Sequence, residues 1–210
     1  MIDGAPLEMA IRNAAMGDTV QLDKDVTVDV WNQIWPDGSA SGLDGITIDG
    51  KGHVLAIKKV ESLQNGNYLL FKAPNITVRD IKISQPSNAN GFSMVSGSLV
   101  NVTVTGGGMA AYLGAGDIIV DGCTFNGQGN ALYTEEYTGE AEIRNSEFTG
   151  CGCATILTKP GSSFVGNIVQ DRVRFHRSRE GGHHGVCEVG QGRGSRTNHP
   201  YGDVHPDRRR

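Results

Sequence analysis

Along residues 45–169, apolar and polar positions alternate in short runs, and no stretch sustains a helical period. Six segments carry the pattern: Ile46-Thr-Ile-Asp-Gly50, Ile76-Thr-Val-Arg-Asp80, Ser98-Leu-Val-Asn101, Ile118-Ile-Val-Asp-Gly122, Ala141-Glu-Ile-Arg-Asn145 and Ser162-Ser-Phe-Val-Gly166. Each reads as a brief strand with one buried face. Each closes on Gly50, Asp80, Asn101, Gly122, Asn145 or Gly166, residue types that accept the left-handed backbone of a sharp bend. The intervals between these bends are 30, 21, 21, 23 and 21 residues. A recurrence of this length marks a solenoid.

A second short strand follows each bend, as in Ile81-Lys-Ile83, Val102-Thr-Val104, Cys123-Thr-Phe125, Ser146-Glu-Phe148 and Asn167-Ile-Val169. Period two turns the first and third residues of each triplet inward. Ile83, Val104, Phe125, Phe148 and Val169 are therefore expected to form one interior stack, and Val78, Leu99, Val120, Ile143 and Phe164 another. A third strand fits at 68–72, 92–95, 110–113, 131–134 and 154–158. Three strands and three turns per coil of about 21 residues predict an all-β fold, the right-handed parallel β-helix. A sandwich is disfavoured because its turn signals recur every 8–12 residues. The leucine-rich frame is missing as well.

Residues 1–44 read as an N-terminal cap. A helix over 6–16 would place Leu7, Ala10, Ile11 and Ala14 on one face, with Pro6 in its first turn. Such a helix would cover the raw end of the coil. Thr19 opens the first strand, and 26–43, with Trp31 and Trp35, reads as a strand followed by a long loop. The coils occupy 45–169, and 170–210 is an irregular Arg/Gly/His-rich tail.

Composition agrees: 30 glycines without a collagen triplet imply many tight turns. Residues 1–169 carry 10 Lys+Arg against 18 Asp+Glu, a net of −8, whereas 170–210 carry 9 against 5, a net of +4. All nine tail cations are arginine. This abrupt change is the composition of an out-of-frame translation of a GC-rich gene, and a genuine disordered tail is the alternative. The tail's His183, His184, Cys187 and His199 lack paired zinc-ligand spacing. Its few aromatics and modest charge do not suit a nucleic-acid partner. Cys123 reads as a small buried hydrophobe. No apolar run is long enough to span a bilayer, and the N-terminus has no signal-peptide pattern. The chain is therefore expected either to stay inside the cell or to be part of a longer, exported polypeptide.

Gly17-Asp-Thr-Val-Gln-Leu22 and Ile46-Thr-Ile-Asp-Gly-Lys-Gly52 resemble the opening coils of the pectate-lyase-like right-handed β-helix superfamily. Asp117-Ile-Ile-Val-Asp-Gly-Cys-Thr-Phe-Asn-Gly127 and Glu142-Ile-Arg-Asn-Ser-Glu-Phe-Thr-Gly150 resemble its repeating unit. The resemblance covers about 150 residues and implies the fold, with secretion or a cell-surface location. It does not settle activity, because this scaffold serves lyases, hydrolases, epimerases and non-enzymatic adhesins.

Hydrolases of this fold need paired aspartates and a Gly-His-Gly motif, and the chain has no Asp-Asp step. Pectate-lyase-like elimination needs a cationic base and usually Ca²⁺ held by carboxylates. Lys72, Glu135 and Lys159 are the candidates for a shallow acidic-sugar site on the third-strand sheet. Without that chemistry no cofactor or metal is expected. Arg79 and Arg144, one residue before a bend, read as solvated charges. Trp31, Trp35, Tyr112, Tyr133 and Tyr137 could stack on sugar rings. The plainer role gives the tryptophans to the open end of the coil and the tyrosines to loops. The favoured expectation is a non-catalytic, adhesin-like module presenting a face to glycans or other partners, with a polysaccharide lyase as the alternative.

Overall fold

The computed structural model describes residues 5–35, 43–61, 67–114, 116–134, 139–151, 155–158, 162–169, 174–177 and 187–188. They form a right-handed parallel β-helix behind a short N-terminal helix. The first sheet stacks Thr19–Gln21, Thr47–Asp49, the first part of Ile76–Ser84, the first part of Gly97–Thr105, Ile118–Asp121, Ala141–Arg144 and Ser163–Val165, all parallel. The second stacks Val26–Val28, Val54–Ile57, the later parts of the two long strands, Thr124–Asn126, Glu147–Thr149 and Ile168–Val169. The third stacks Leu70–Ala73, Phe92–Met94, Met109–Leu113 and Asn130–Tyr133.

The predicted interior stacks are in register. Val78 pairs with Leu99, Leu99 with Val120, Val120 with Ile143 and Ile143 with Phe164. Ile83, Val104, Phe125, Phe148 and Val169 pair in the same way. Phe125 and Phe148 are fully buried, with ring centroids 5.2 Å apart. Burial of this kind, at about 25 cal/mol per Å² of apolar surface, is the main force holding one coil on the next.

Between the first and second sheets the backbone turns on Asp80, Asn101, Gly122, Asn145 and Gly166, with φ of 50°, 53°, 63°, 51° and 68°. The column is tied vertically: Asn101 Nδ2 donates to Asp80 Oδ1 at 2.7 Å, and Asn145 Nδ2 donates to Asp121 Oδ1 at 3.1 Å. Gly50 departs from this column. Its coil turns one residue later, on Lys51 (φ 48°) and Gly52 (φ 83°). Gly50 is required for closeness instead, since a Cβ there would lie 2.4 Å from the Ile81 Cβ.

The helix runs over Ala5–Asn13, shorter than predicted. Asp18 takes over at its end, accepting from Ala15 N at 2.7 Å, and Gly17 follows with φ 78°. Leu7 and Ile11 face the coil interior. Arg12 donates to the Asn32 and Gln33 carbonyls at 3.0 and 2.8 Å, and Asn32 donates to Glu8. The helix thus closes the first coil as a cap.

A second departure lies after Val169. Arg174–Arg177 pairs in parallel with Thr155–Thr158, and Cys187–Glu188 joins it antiparallel. The segment assigned to an irregular tail therefore contributes strands to the described structure. Arg174-Phe-His-Arg177 lacks both β-branched residues and a bend signal, so the repeat pattern does not reach it.

Candidate ligand-binding face

The third sheet presents a run of aromatic rings on its outer side. In Met109–Leu113, Ala111 and Leu113 pair with Phe92 and Met94, all of them in the core, which turns the intervening Tyr112 outward. Tyr133 pairs directly with Tyr112, and their ring centroids are 5.9 Å apart. On the neighbouring coil Ser93 takes the same outward position beside Tyr112. Ser93 is only 2 % exposed despite pointing outward, so larger neighbours cover it. Its small side chain leaves room for Tyr68 to reach across to Tyr112, with centroids 6.4 Å apart. Gly91, beside Leu69 in the ladder, has φ 57°, and a Cβ there would strike the Ala110 carbonyl oxygen at 1.9 Å.

The run continues from Tyr68 to Phe71 at 5.2 Å and from Phe71 to Trp35 at 4.8 Å. A bulge between Leu70 and Ala73 sets this end. It lets Leu69, Leu70 and Ala73 all stay buried while Phe71 is half-buried and Lys72 exposed. Lys72 takes φ 53°, a strained conformation for a side chain of its length. Its Nζ lies 5.2 Å from the Phe71 ring centroid, within cation–π range. Trp35, Phe71, Tyr68, Tyr112 and Tyr133 thus form one connected series, with Tyr68 buried in its middle and the Lys72 ammonium over its second ring, Phe71.

Of the residues expected to bind a ligand, Trp35, Tyr112 and Tyr133 fall in this series. Tyr112 and Tyr133 stand on strands, not in loops. Trp31 does not belong to the series: it is 2 % exposed, and its Nε1 donates to the Leu69 carbonyl at 2.9 Å. Its indole fills the capped end of the core. Lys72 is at the site; Glu135, Tyr137 and Lys159 lie outside the described residues. Phe71 and Tyr68 were not expected. Strict alternation puts Phe71 on the face opposite Lys72, and only the bulge brings both to the surface.

The charges elsewhere are taken up by pairing between coils. Arg79 donates to Asp49 at 2.9 Å, and Arg144 pairs with Asp121 at 2.9 Å and with Glu142. These arginines, expected as solvated charges, are half-exposed partners in an ion-pair column on the first sheet. The Arg144 hydrogen bond, then that of Asn145, holds the Asp121 carboxyl below its ordinary value. For Asp49 the Lys51 backbone N–H contributes most, ahead of Arg79. On the first coils, Asp25 accepts from Val54 N at 2.9 Å and contacts His53 Nδ1 at 3.2 Å. Both causes lower the Asp25 carboxyl, the backbone bond more than the histidine. Burial raises the Cys123 thiol to about 11, and its S–H donates to the Leu99 carbonyl at 3.3 Å.

Among the described residues no group of three or more His, Cys, Asp or Glu could hold a metal ion, and no helix is long and apolar enough to cross a membrane. Compared with protein-family models, curated proteins and solved structures, the chain matches none of them.

Proposed function

We propose that the chain is a non-catalytic β-helix module of a secreted or cell-surface protein, adhesin-like in role, whose third sheet binds glycan through its outer aromatic series. The connected run from Trp35 to Tyr133 carries this reading. Phe71, Tyr112 and Tyr133 are half-buried and Trp35 is exposed around a buried Tyr68, and rings held in this way on a rigid sheet, those of tyrosine and tryptophan with a polar handle, suit the C–H faces and hydroxyls of sugars. A stable protein interface needs about 800 Å² per partner, and a strip one ring wide does not supply that area. A single-stranded nucleic acid would also stack on rings, but it requires a cationic groove, whereas residues 1–169 carry a net charge of −8.

Glycan arrays and pull-down on insoluble polysaccharides test the reading, with Tyr112→Ala/Tyr133→Ala as the disarmed variant. Retention of the native chain and its loss in a variant of unchanged circular dichroism are expected. Equal retention of both proteins would refute the proposal.

A second reading, a polysaccharide lyase, is favoured by one observation: the strained backbone of Lys72 beside the aromatic series. Incubation with polyuronates while recording absorbance from unsaturated products separates the two. A signal abolished by Lys72→Ala would establish the enzyme.

A further inference from the structure

We propose that Asn90 is a self-modification site, where the backbone nitrogen of Gly91 closes on the Asn90 side chain and the amide becomes a carboxylate. Asparagine is thermolabile, and a following glycine has no side chain to shield its own nitrogen from such an attack. Three asparagines precede glycine: Asn65, Asn90 and Asn126. Asn65 lies outside the described residues, and the fold separates the other two.

The difference is in the attacking nitrogen. Gly127 N donates to the Thr149 carbonyl at 3.0 Å, a ladder bond that must break before the nitrogen can react. Gly91 N has no acceptor among the described residues, and the Asn90 amide has no hydrogen-bond partner among them. Exposure alone would favour Asn126, the more open of the two. Asn90 is only half-buried, however, so water reaches both, and the free nitrogen decides. The Asn90 side chain leans over the next coil, its Oδ1 2.6 Å from where a Cβ on Gly108 would stand.

The step is intramolecular. Hydroxide takes the Gly91 N–H proton, the nitrogen bonds to Asn90 Cγ, and the side-chain nitrogen takes up a proton and leaves as ammonia. Water then opens the cyclic imide at either carbonyl, giving aspartate or isoaspartate. Asn90 N donates to the Asn67 carbonyl at 2.9 Å, and the Gly91 carbonyl accepts from Leu69 N at 2.7 Å. These bonds tie two coils together on either side of the altered linkage. Isoaspartate adds one backbone carbon between them, so both cannot hold. The change runs one way and loosens the head of the third sheet beside Tyr68.

The test incubates the full chain, folded and in urea, at pH 7, 8 and 9, and follows residues 90 and 126 by fragmentation mass spectrometry. In the folded chain Asn90 is expected to convert roughly two- to ten-fold faster than Asn126, the rate penalty of first breaking one hydrogen bond. In urea the two rates should converge, and all should rise with hydroxide. Any side chain at 91 would strike Ala110, so the control is Asn90→Gln, which enlarges the ring and should stop conversion at 90 alone. Aged chain rich in isoaspartate should exchange the Leu69 amide hydrogen faster than fresh chain. Asn126 converting as fast as Asn90 in the folded chain overturns the proposal, as does an Asn90 that converts only in urea. Unchanged exchange at Leu69 overturns the loosening.

Discussion

Gly122 is the place where the bend column can be tested by a substitution that ought to help. It turns left-handed at φ 63°, and a Cβ built on it meets nothing within 4 Å. Its counterparts on the adjacent coils are Asn101 and Asn145, so Gly122→Asn would continue a column of amides through a position now lacking one. Replacing glycine lowers the entropy of the unfolded chain, worth about 0.4–1 kcal/mol. An amide donating to Asn101 adds about 0.5–1.5 kcal/mol, the usual net value of a hydrogen bond. Residual strain is small because asparagine visits this region readily. The net expectation is a stabilisation of roughly 0.5–1.5 kcal/mol. Gly122→Ala gains the same entropy but bears the left-handed penalty of about 1–2 kcal/mol with no amide to offset it. It should destabilise by about 0.5–1 kcal/mol. Equilibrium urea unfolding, read as a shift in midpoint at constant slope, measures both. The two substitutions should move the midpoint in opposite directions. If alanine is tolerated as well as asparagine, the position is not under left-handed constraint and the account of the column is wrong.

Three further outcomes are expected from the same geometry. Gly97→Ala should abolish stable folding, at a cost of about 3 kcal/mol or more, because φ is 130° and the new Cβ would meet the Ile76 carbonyl oxygen at 2.0 Å; a soluble variant with an unchanged thermal midpoint would refute this. Asp121 is held below its ordinary 3.8 by Arg144, so the folded state binds fewer protons than the unfolded one between the two values. The stability that Arg144 contributes is therefore complete above the unfolded value and lost as pH falls, and the advantage of the native chain over Arg144→Gln should shrink as pH falls through 3.8 and below; a gap that persists into strong acid contradicts the pairing. Cys123, buried and raised to about 11, should resist thiol reagents at pH 8 until denaturant is added; labelling of this thiol in the native state by mass spectrometry would contradict its burial.

How far the sequence foretold this structure differs from element to element, for physical reasons. The interior stacks were legible because two periods coincide there: alternation within a strand, and about 21 residues between coils. Val78, Leu99, Val120 and Ile143 satisfy both at once. Gly50 was misleading because glycine serves two needs, left-handed backbone and close approach, and only coordinates separate them. Of the aromatic series, Trp35, Tyr112 and Tyr133 were visible as candidates. Tyr68 and Phe71 were not, because the bulge at Lys72 breaks the alternation that would assign a face. Trp31 was equally visible and wrong as a ligand residue, since a cap whose contacts come from distant residues decides its burial. The ion pairs of Arg79 and Arg144 escaped notice for a similar reason: their carboxylate partners Asp49 and Asp121 stand one coil earlier, 30 and 23 residues away.

The interior itself changes character along the axis. The first inward position after each bend is Ile81, then Val102, Cys123, Ser146 and Asn167, all buried. From Cys123 onward the polar atoms are satisfied by neighbouring coils. Cys123 N donates to Ser146 Oγ at 3.1 Å, Ser146 N donates to Asn167 Oδ1 at 3.0 Å, and Asn167 Nδ2 donates to the Ile143 carbonyl at 2.7 Å. Early coils are thus held by apolar burial, whereas in later ones a buried donor finds its acceptor only when the next coil is in place. In a solenoid whose stability sums over nearest neighbours, loss of one late coil strands a polar group in the coil before it, at about 1–3 kcal/mol. The aromatic series runs from beside Ile34 to Tyr133, mostly over the early coils and next to the capping helix. Up to Tyr112 the series therefore stands on coils held by apolar burial, and only Tyr133 shares a coil with Cys123, whose buried donor depends on the coil that follows.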